Sequence, residues 1–221
     1  MAVFEEKVPL PTPARRKRNP RGQGARLRDE IIAGATAVLE RTGSEDAVTL
    51  RAVAREIGVA APSIARHFTD LPEIIDAVVA HELGELYQSL VAAGTTTAEP
   101  VERLLRISKA YVDYGQARPA RYRILVGRRF LDDWEERDLV MAQSAPLMAA
   151  GIDMFTAAIQ ACVDAGRSTT SDASFATAIL WFALHGLITV PAAITSLDWP
   201  DYGEMLNACV TRAAQLTPAT A

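Results

Sequence analysis

One stretch of twenty residues constrains this chain more than any other: Thr49 to Phe68, TLRAVAREIGVAAPSIARHF. Leu50, Val53, Ala54 and Ile57 fall at i, i+3, i+4 and i+7, a spacing that makes one apolar face of a helix. Thr49 stands where its hydroxyl can cap that helix. Gly58 follows the last apolar residue, where a helix most readily stops and turns, and Val59 is placed to tuck back into the core. Pro62 suits the first turn of a second helix, whose amide hydrogens have no partner within the helix. Ile64 and Phe68, four apart, give that second helix a buried side, leaving Ser63, Arg66 and His67 facing out. A helix, a tight turn and a short helix with a polar, basic face is an arrangement that suits the major groove of DNA, with the second helix entering the groove.

The pattern is helical on both sides of this stretch. A first helix is predicted over Leu27–Arg41, with Leu27, Ile31, Ala35, Val38 and Leu39 inward and Gly43 ending it. Asp70 and Glu73 have capping-box spacing, so a fourth helix starts near Leu71. Its apolar stripe runs through Ile74, Val78, Leu83, Leu86 and Leu90 to about Ala93. After a loop at 93–100, candidate helices are Val101–Ala117, Pro119–Gly127, Trp134–Ala165, Asp172–Ile194 and Pro200–Gln215, with Trp134–Ala165 expected as two helices split near Pro146. Strand-like alternation is nearly absent and Ala is abundant, which favours helix. The fold class expected is all-α: an N-terminal three-helix helix-turn-helix unit followed by a C-terminal helical bundle.

The residues Thr49, Val53, Ala54, Ile57, Gly58, Val59, His67 and Phe68 resemble the DNA-binding motif of the TetR family of bacterial transcriptional regulators. With its flanking helices the resemblance covers about Arg26 to Leu86. It implies a DNA-binding domain over 26–86, preceded by an arm at 1–25 and followed by an effector-binding and dimerisation domain over 87–221. It further implies a cytoplasmic, nucleoid-associated homodimer on a pseudo-palindromic double-stranded operator. Such a protein is usually a repressor released by a small apolar effector, with no catalytic residues and no cofactor. Arg51, in the first turn of its helix, lies near the family's DNA-contacting surface beside Thr49. Arg66 pairs either with guanine or with phosphate. Ser63 and His67 are short polar contacts, with a structural role as the alternative for His67. Ala61 and Pro62 can meet a thymine methyl, and Arg26 and Arg28 can meet the DNA backbone.

Three positions depart from the family pattern. Ala60 stands where the family often has a capping Ser, and an absent cap costs about 1 kcal/mol of helix stability. Ala65 and Leu71 stand where the family usually has Tyr and Lys, so two phosphate contacts implied by the resemblance are missing. Phosphate contacts supply much of the affinity for DNA. A replacement is available just upstream. The first 28 residues hold eight Lys and Arg against two Glu, in a chain of net charge −4, which reads as a basic arm on an acidic body. Within it Arg15, Arg16, Lys17, Arg18 and Arg21 lie among prolines and glycines too polar to fold alone. They resemble arms that lie beside a DNA-binding helix; a solubilising tail is the plainer alternative.

Residues 173–197 contain no Asp, Glu, Lys or Arg, a run long enough to test as a membrane span. Asp172 and Asp198 bracket it without a basic cluster, so burial in a core or between subunits is expected instead, and no membrane. The stripe Phe175, Ile179, Phe182, Gly186 and Thr189 is expected to pack on its own subunit. The opposite side, Ala176, Leu180, Ala183, Leu184 and Leu187, is expected to join the last helix in a four-helix interface about a two-fold axis. Trp181-Phe-Ala-Leu-His185-Gly186 resembles the Trp, three residues, His-Gly element of one C-terminal ligand-binding class among TetR-like regulators, with Tyr111, Tyr114, Pro119 and Tyr122 similarly spaced. Tyr111, Phe130, Trp134, Phe155, Trp181, Phe182 and His185 are the candidates to line an apolar pocket with a few polar handles; ordinary core is the alternative for each. Cys162 and Cys209 read as free thiols in a reducing compartment, and His67, His81 and His185 have no metal-ligand spacing. Two other classes stay open: a hydrophobic-ligand carrier that has lost operator binding, and an enzyme built on His185.

Overall fold

The computed structural model describes residues 24–127 and 138–218. The five basic residues of the arm, and Phe130 and Trp134, lie outside these. Regular structure among the described residues is helical: α1 (Gly24–Thr42), α2 (Leu50–Glu56), α3 (Ala61–Ile64), α4 (Leu71–Gly94), α5 (Pro100–Ala117), α6 (Pro119–Gly127), α7 (Asp138–Asp164), α8 (Ala173–Ala193) and α9 (Tyr202–Ala213), with one short 3-10 turn at Glu45–Ala47. The chain divides into two compact units between Ile75 and Asp76, inside α4.

In the N-terminal unit α1 buries Ile31, Ile32, Ala35, Val38 and Leu39. It ends at Gly43, whose φ of 67° lets its amide donate back to the Leu39 carbonyl at 2.8 Å. α1 packs closely on α2 because Gly34 has no Cβ; one there would overlap the Ile57 methyl. Arg41 and Glu56 pair at 2.8 Å across the same two helices. Thr49 caps α2, its hydroxyl accepting from the Ala52 amide at 3.1 Å. Gly58, at φ 68°, closes it. The Gly58 amide donates to the Arg55 carbonyl at 3.3 Å, and the Val59 amide to the Ala54 carbonyl at 2.9 Å, a paired closure that satisfies the last carbonyls of the helix.

Two details differ from the sequence pattern. Leu50, expected on the inward face, is 36% exposed. α2 is only two turns long, Val53 and Ala54 form its buried contact, and the first residue projects beyond it. The second helix of the pair is also shorter than expected. α3 ends at Ile64 and the chain continues as a turn, with the His67 and Phe68 amides both donating to the Ile64 carbonyl. Ala60 offers no side-chain cap and Pro62 no amide hydrogen, so little favours a longer helix. Ile64 and Phe68 are buried as expected. At the start of α4 the Glu73 amide donates to Asp70 Oδ1 at 2.9 Å, while the Glu73 carboxylate accepts from the Thr69 amide at 2.6 Å.

The C-terminal unit is arranged around α5, which packs on α6, α7, α8 and α9. It buries Leu104, Ile107, Tyr111, Val112, Tyr114 and Gly115. Gly115 sets its distance from α8, since a Cβ there would lie 2.7 Å from Ile188 Cδ1. Asp172 caps α8 through the Phe175 amide, and Asp201 caps α9 through the Glu204 amide, both at 2.9 Å. Glu82 of α4 is fully buried; it accepts from the Tyr114 hydroxyl at 2.6 Å and pairs with Arg121 of α6 at 3.4 Å. Burial, and after it the hydrogen bond and charge of Glu82, push the Tyr114 phenol well above its usual range.

Two expectations for this unit are corrected. α7 is continuous through Pro146 rather than split there. Proline removes one backbone bond, but the helix beyond it is held by buried Phe155, Ala158, Ile159 and Cys162. The two sides of α8 are the reverse of those expected. Ala176, Leu180, Leu184 and Ile188 face the bundle, whereas Phe175 (66% exposed), Ile179 (43%) and Phe182 (69%) lie outside it. The stretches Ser144–Asp164 and Ala173–Ala193 are long and apolar enough to cross a bilayer by composition; in this fold they pack against each other.

Removing the Thr49 cap tests the local account of α2. Thr49→Ala is expected to lower stability by about 1 kcal/mol, with Thr49→Ser close to the parent. Chemical denaturation followed by helix signal measures it, and an unchanged midpoint for the alanine variant would show that the hydroxyl contributes nothing.

Candidate functional site

Two places collect the residues singled out by sequence, one in each unit. In the N-terminal unit, the loop and first turn of α2 bring Thr49 and Arg51 to the surface, both exposed. The turn at Gly58 then presents Pro62 and Arg66 as exposed residues, with Ala61, Ser63 and His67 half-buried. Buried Ile64 and Phe68 hold this segment from beneath. Arg28 is drawn inward on the same unit, its guanidinium 5.0 Å from the centre of the Phe68 ring. Arg26 pairs with Glu30 one turn on, at 3.1 Å. The result is a short, basic, polar surface on a turn anchored by Ile64 and Phe68.

In the C-terminal unit a cavity of about 330 Å³ opens among α4 to α8. Leu83, Leu86, Tyr87 and Leu90 of α4, Leu125 and Val126 of α6, and Leu147, Met148, Ile152 and Phe155 of α7 form most of its wall. Among the described residues no Asp, Glu, Lys or Arg lines it. Its polar end is a connected cluster. His185 Nε2 lies 3.0 Å from the Tyr111 hydroxyl, and His185 Nδ1 is hydrogen-bonded to the Tyr122 hydroxyl. The two hydroxyls are 3.1 Å apart, and Trp181 Nε1 donates to Tyr111 at 3.2 Å. Edge-to-face contacts of the Tyr111 ring with Tyr122, Phe155 and His185 keep the rings in place. Burial holds the His185 imidazole below its usual pKa and both phenols above theirs, so the cluster is uncharged at neutral pH.

Of the ligand candidates read from the sequence, Tyr111, Phe155, Trp181 and His185 meet at this cavity. Phe182 does not. It stacks on Trp181 with 6.2 Å between ring centres and projects away from the unit, because one residue along a helix is a rotation of about 100°. Phe130 and Trp134 fall outside the described residues. Tyr122 was visible only as a spacing, yet it closes the cluster, while Tyr114 turns instead to Glu82. The leucines and Tyr87 of α4 carried no distinguishing signal, since apolar residues on a stripe look alike whether they line a cavity or fill a core.

Both units of this chain resemble known proteins. The family described as bacterial regulatory proteins, tetR family, matches residues 31–78, and the one described as tetracyclin repressor-like, C-terminal domain, matches residues 104–207. An uncharacterized HTH-type transcriptional regulator of Mycobacterium tuberculosis is 27% identical over 169 residues, covering 73% of this chain and 68% of that protein. A protein of unknown function from Rhodococcus sp. RHA1 has a similar fold, with a TM-score of 0.73 at 24% identity over 86% of this chain and 94% of its own. The transcriptional regulator FadR from Bacillus subtilis, in complex with stearoyl-CoA, has a TM-score of 0.65 at 12% identity over 84% and 97%. With both halves matched and a helix-turn-helix pair in the first, this chain belongs to the TetR family and is a DNA-binding transcriptional regulator.

Proposed function

We propose that the protein is a ligand-responsive repressor that acts in the cytoplasm as a homodimer on a pseudo-palindromic operator. The cavity carries this reading: a DNA-binding regulator whose C-terminal unit contains an open, largely apolar cavity of about 330 Å³, with one polar cluster, has the makings of an effector site. Residues 26–86 are assigned to DNA binding and 87–221 to effector binding and dimerisation. A small, largely apolar effector in the cavity and the operator would oppose each other through a coupling free energy. FadR, solved with stearoyl-CoA, supports the idea that this fold takes an acyl chain. Both ring nitrogens of His185 are engaged by phenols, which supports a binding role for it over an enzymatic one. Selection of genomic fragments by the purified protein, followed by mobility shifts with and without apolar ligands, tests the proposal. Failure to select any fragment would favour the carrier reading, and operator affinity that no cavity ligand changes would remove the effector.

At the DNA, Thr49, Arg51, Ala61, Pro62, Ser63, Arg66 and His67 form the proposed groove surface, and Arg26 and Arg28 the backbone contacts. Exposed Arg66 is the proposed base reader. Arg66→Ala is expected to cost about 1–3 kcal/mol and to relax specificity at one base pair. An equal loss for all sequences, measured by competition binding, would make it a phosphate anchor.

The arm residues Arg15, Arg16, Lys17, Arg18 and Arg21 are proposed to replace the phosphate contacts absent at Ala65 and Leu71. Each phosphate contact contributes a slope of about −0.9 in log K against log salt. Deleting residues 14–24 should weaken binding and flatten that slope; an unchanged slope would mean the arm does not touch DNA.

The proposed dimer surface follows from the exposed side of α8. Phe175, Ile179 and Phe182 form a contiguous apolar stripe outside the bundle, and exposed patches of this kind mark interaction sites. Phe182→Glu places a charge there and is expected to give monomers that lose operator binding. Sedimentation of parent and variant measures it, and a variant that remains dimeric would place the interface elsewhere.

A further inference from the structure

The polar cluster of the cavity can be treated as a count of protons. Three hydrogen bonds join the Tyr111 hydroxyl, the Tyr122 hydroxyl and the two nitrogens of His185 into a closed triangle. Each bond needs one proton. A neutral imidazole has one N–H and each phenol one O–H, so three protons serve three bonds. In one tautomer the donors run His185 to Tyr111 to Tyr122 and back; in the other they run the opposite way. Both arrangements use every proton, and the count is the same whichever is present. The Trp181 indole N–H fills the remaining acceptor position on Tyr111. What is left over is an acceptor lone pair on Tyr122. Thr177, on the same wall, is also committed, its hydroxyl donating to the Ala173 carbonyl at 2.8 Å.

We propose that this end of the cavity recognises a hydrogen-bond donor, so that its ligand is a neutral, largely apolar alcohol or phenol, and that a carboxylate enters only together with one proton. The proposal rests on the cavity being the effector site. A ligand that can only accept has to open the triangle, leaving a buried nitrogen or hydroxyl unpaired, a loss of about tenfold or more in affinity. A fourth proton changes the count: with both nitrogens of His185 donating, one phenol O–H is released toward the ligand. An anionic head group therefore has to bring a proton, carried either by His185 or by its own carboxyl, and the bookkeeping is the same in both cases. The groups in contact with His185 are Tyr111 from α5, Tyr122 from α6 and Trp181 from α8 itself; Phe155 of α7 packs on the Tyr111 ring, and Tyr87 of α4 is the other titratable group on the cavity wall. None of the described lining residues is charged at neutral pH to help an anion in.

Titration calorimetry of the full chain with 1-octanol and with octyl methyl ether tests this. The two share the chain and the oxygen, but only the alcohol donates; the ether is the more apolar, so hydrophobicity alone would favour it. The alcohol is expected to bind about tenfold more tightly. Tyr122→Phe should abolish the preference, because it frees one nitrogen of His185 to act as donor or acceptor by a change of tautomer. Tyr87→Phe should keep it. Octanoate, titrated near neutral pH in two buffers of different ionisation heat, should take up one proton on binding. Equal binding of alcohol and ether by the parent protein would overturn the head-group assignment and leave the effector cavity standing, as would a preference that follows Tyr87 instead of Tyr122. Binding of neither probe would overturn the effector reading and this inference with it.

Discussion

A histidine in an apolar helical bundle must have both ring nitrogens engaged, because an unpaired buried polar group costs about 1–3 kcal/mol. That requirement organises the C-terminal unit. His185 sits on α8 and can be satisfied only by groups from other helices, so Tyr111 of α5 and Tyr122 of α6 come to it, and Trp181 seals the remaining side. The glycine at 115 makes this reachable: without a Cβ there, α5 and α8 approach closely enough for Ile188 to pack against the α5 backbone. Three phenol- and imidazole-bearing residues thus hold the cavity's polar end open, while leucines, methionine and aromatics form the rest.

The N-terminal unit solves a different problem, presenting a short helix without a good cap. α3 has four residues and neither a capping side chain nor a full set of amides. By itself it would not persist, since isolated short helices are marginal in water. It is held because Gly58 fixes the direction of entry and because Ile64 and Phe68 are buried beneath it. The exposed residues between them are therefore positioned by the turn and the core more than by helical propensity.

How much of this could be read from the sequence depended on whether the apolar pattern had a phase. In Thr49–Phe68 polar residues separate the apolar ones, so the faces were legible, down to the cap at Thr49 and the turn at Gly58. Leu50 lies on the other side from the one expected, and the second helix is shorter, with Ser63 and His67 half-buried. α8 is apolar all round, and such a helix carries no signal for which side faces in; its two stripes came out reversed. The polar cluster was partly legible, since His185 is the one histidine in a long apolar helix, and the resemblance of Trp181 to Gly186, with the spacing of Tyr111, pointed to the other two. Their meeting was not, because Tyr111 and His185 are 74 residues apart in sequence, and only packing brings them together. Pro146 shows the opposite failure, a strong local signal for a break that burial farther along α7 outweighs.

The indole of Trp181 has an optical consequence. Its N–H is bonded to Tyr111 and its ring lies 4.8 Å from the centre of His185, so this chromophore is wired into the cluster at the cavity wall. Anything that enters the cavity, or any proton gained by the imidazole, alters the field that this ring experiences. Trp199, exposed and bonded to the Ile194 carbonyl at 2.9 Å, is not among the residues that line the cavity, and the third tryptophan, Trp134, lies outside the described residues. The protein thus carries its own fluorescent gauge of occupancy, with no label attached.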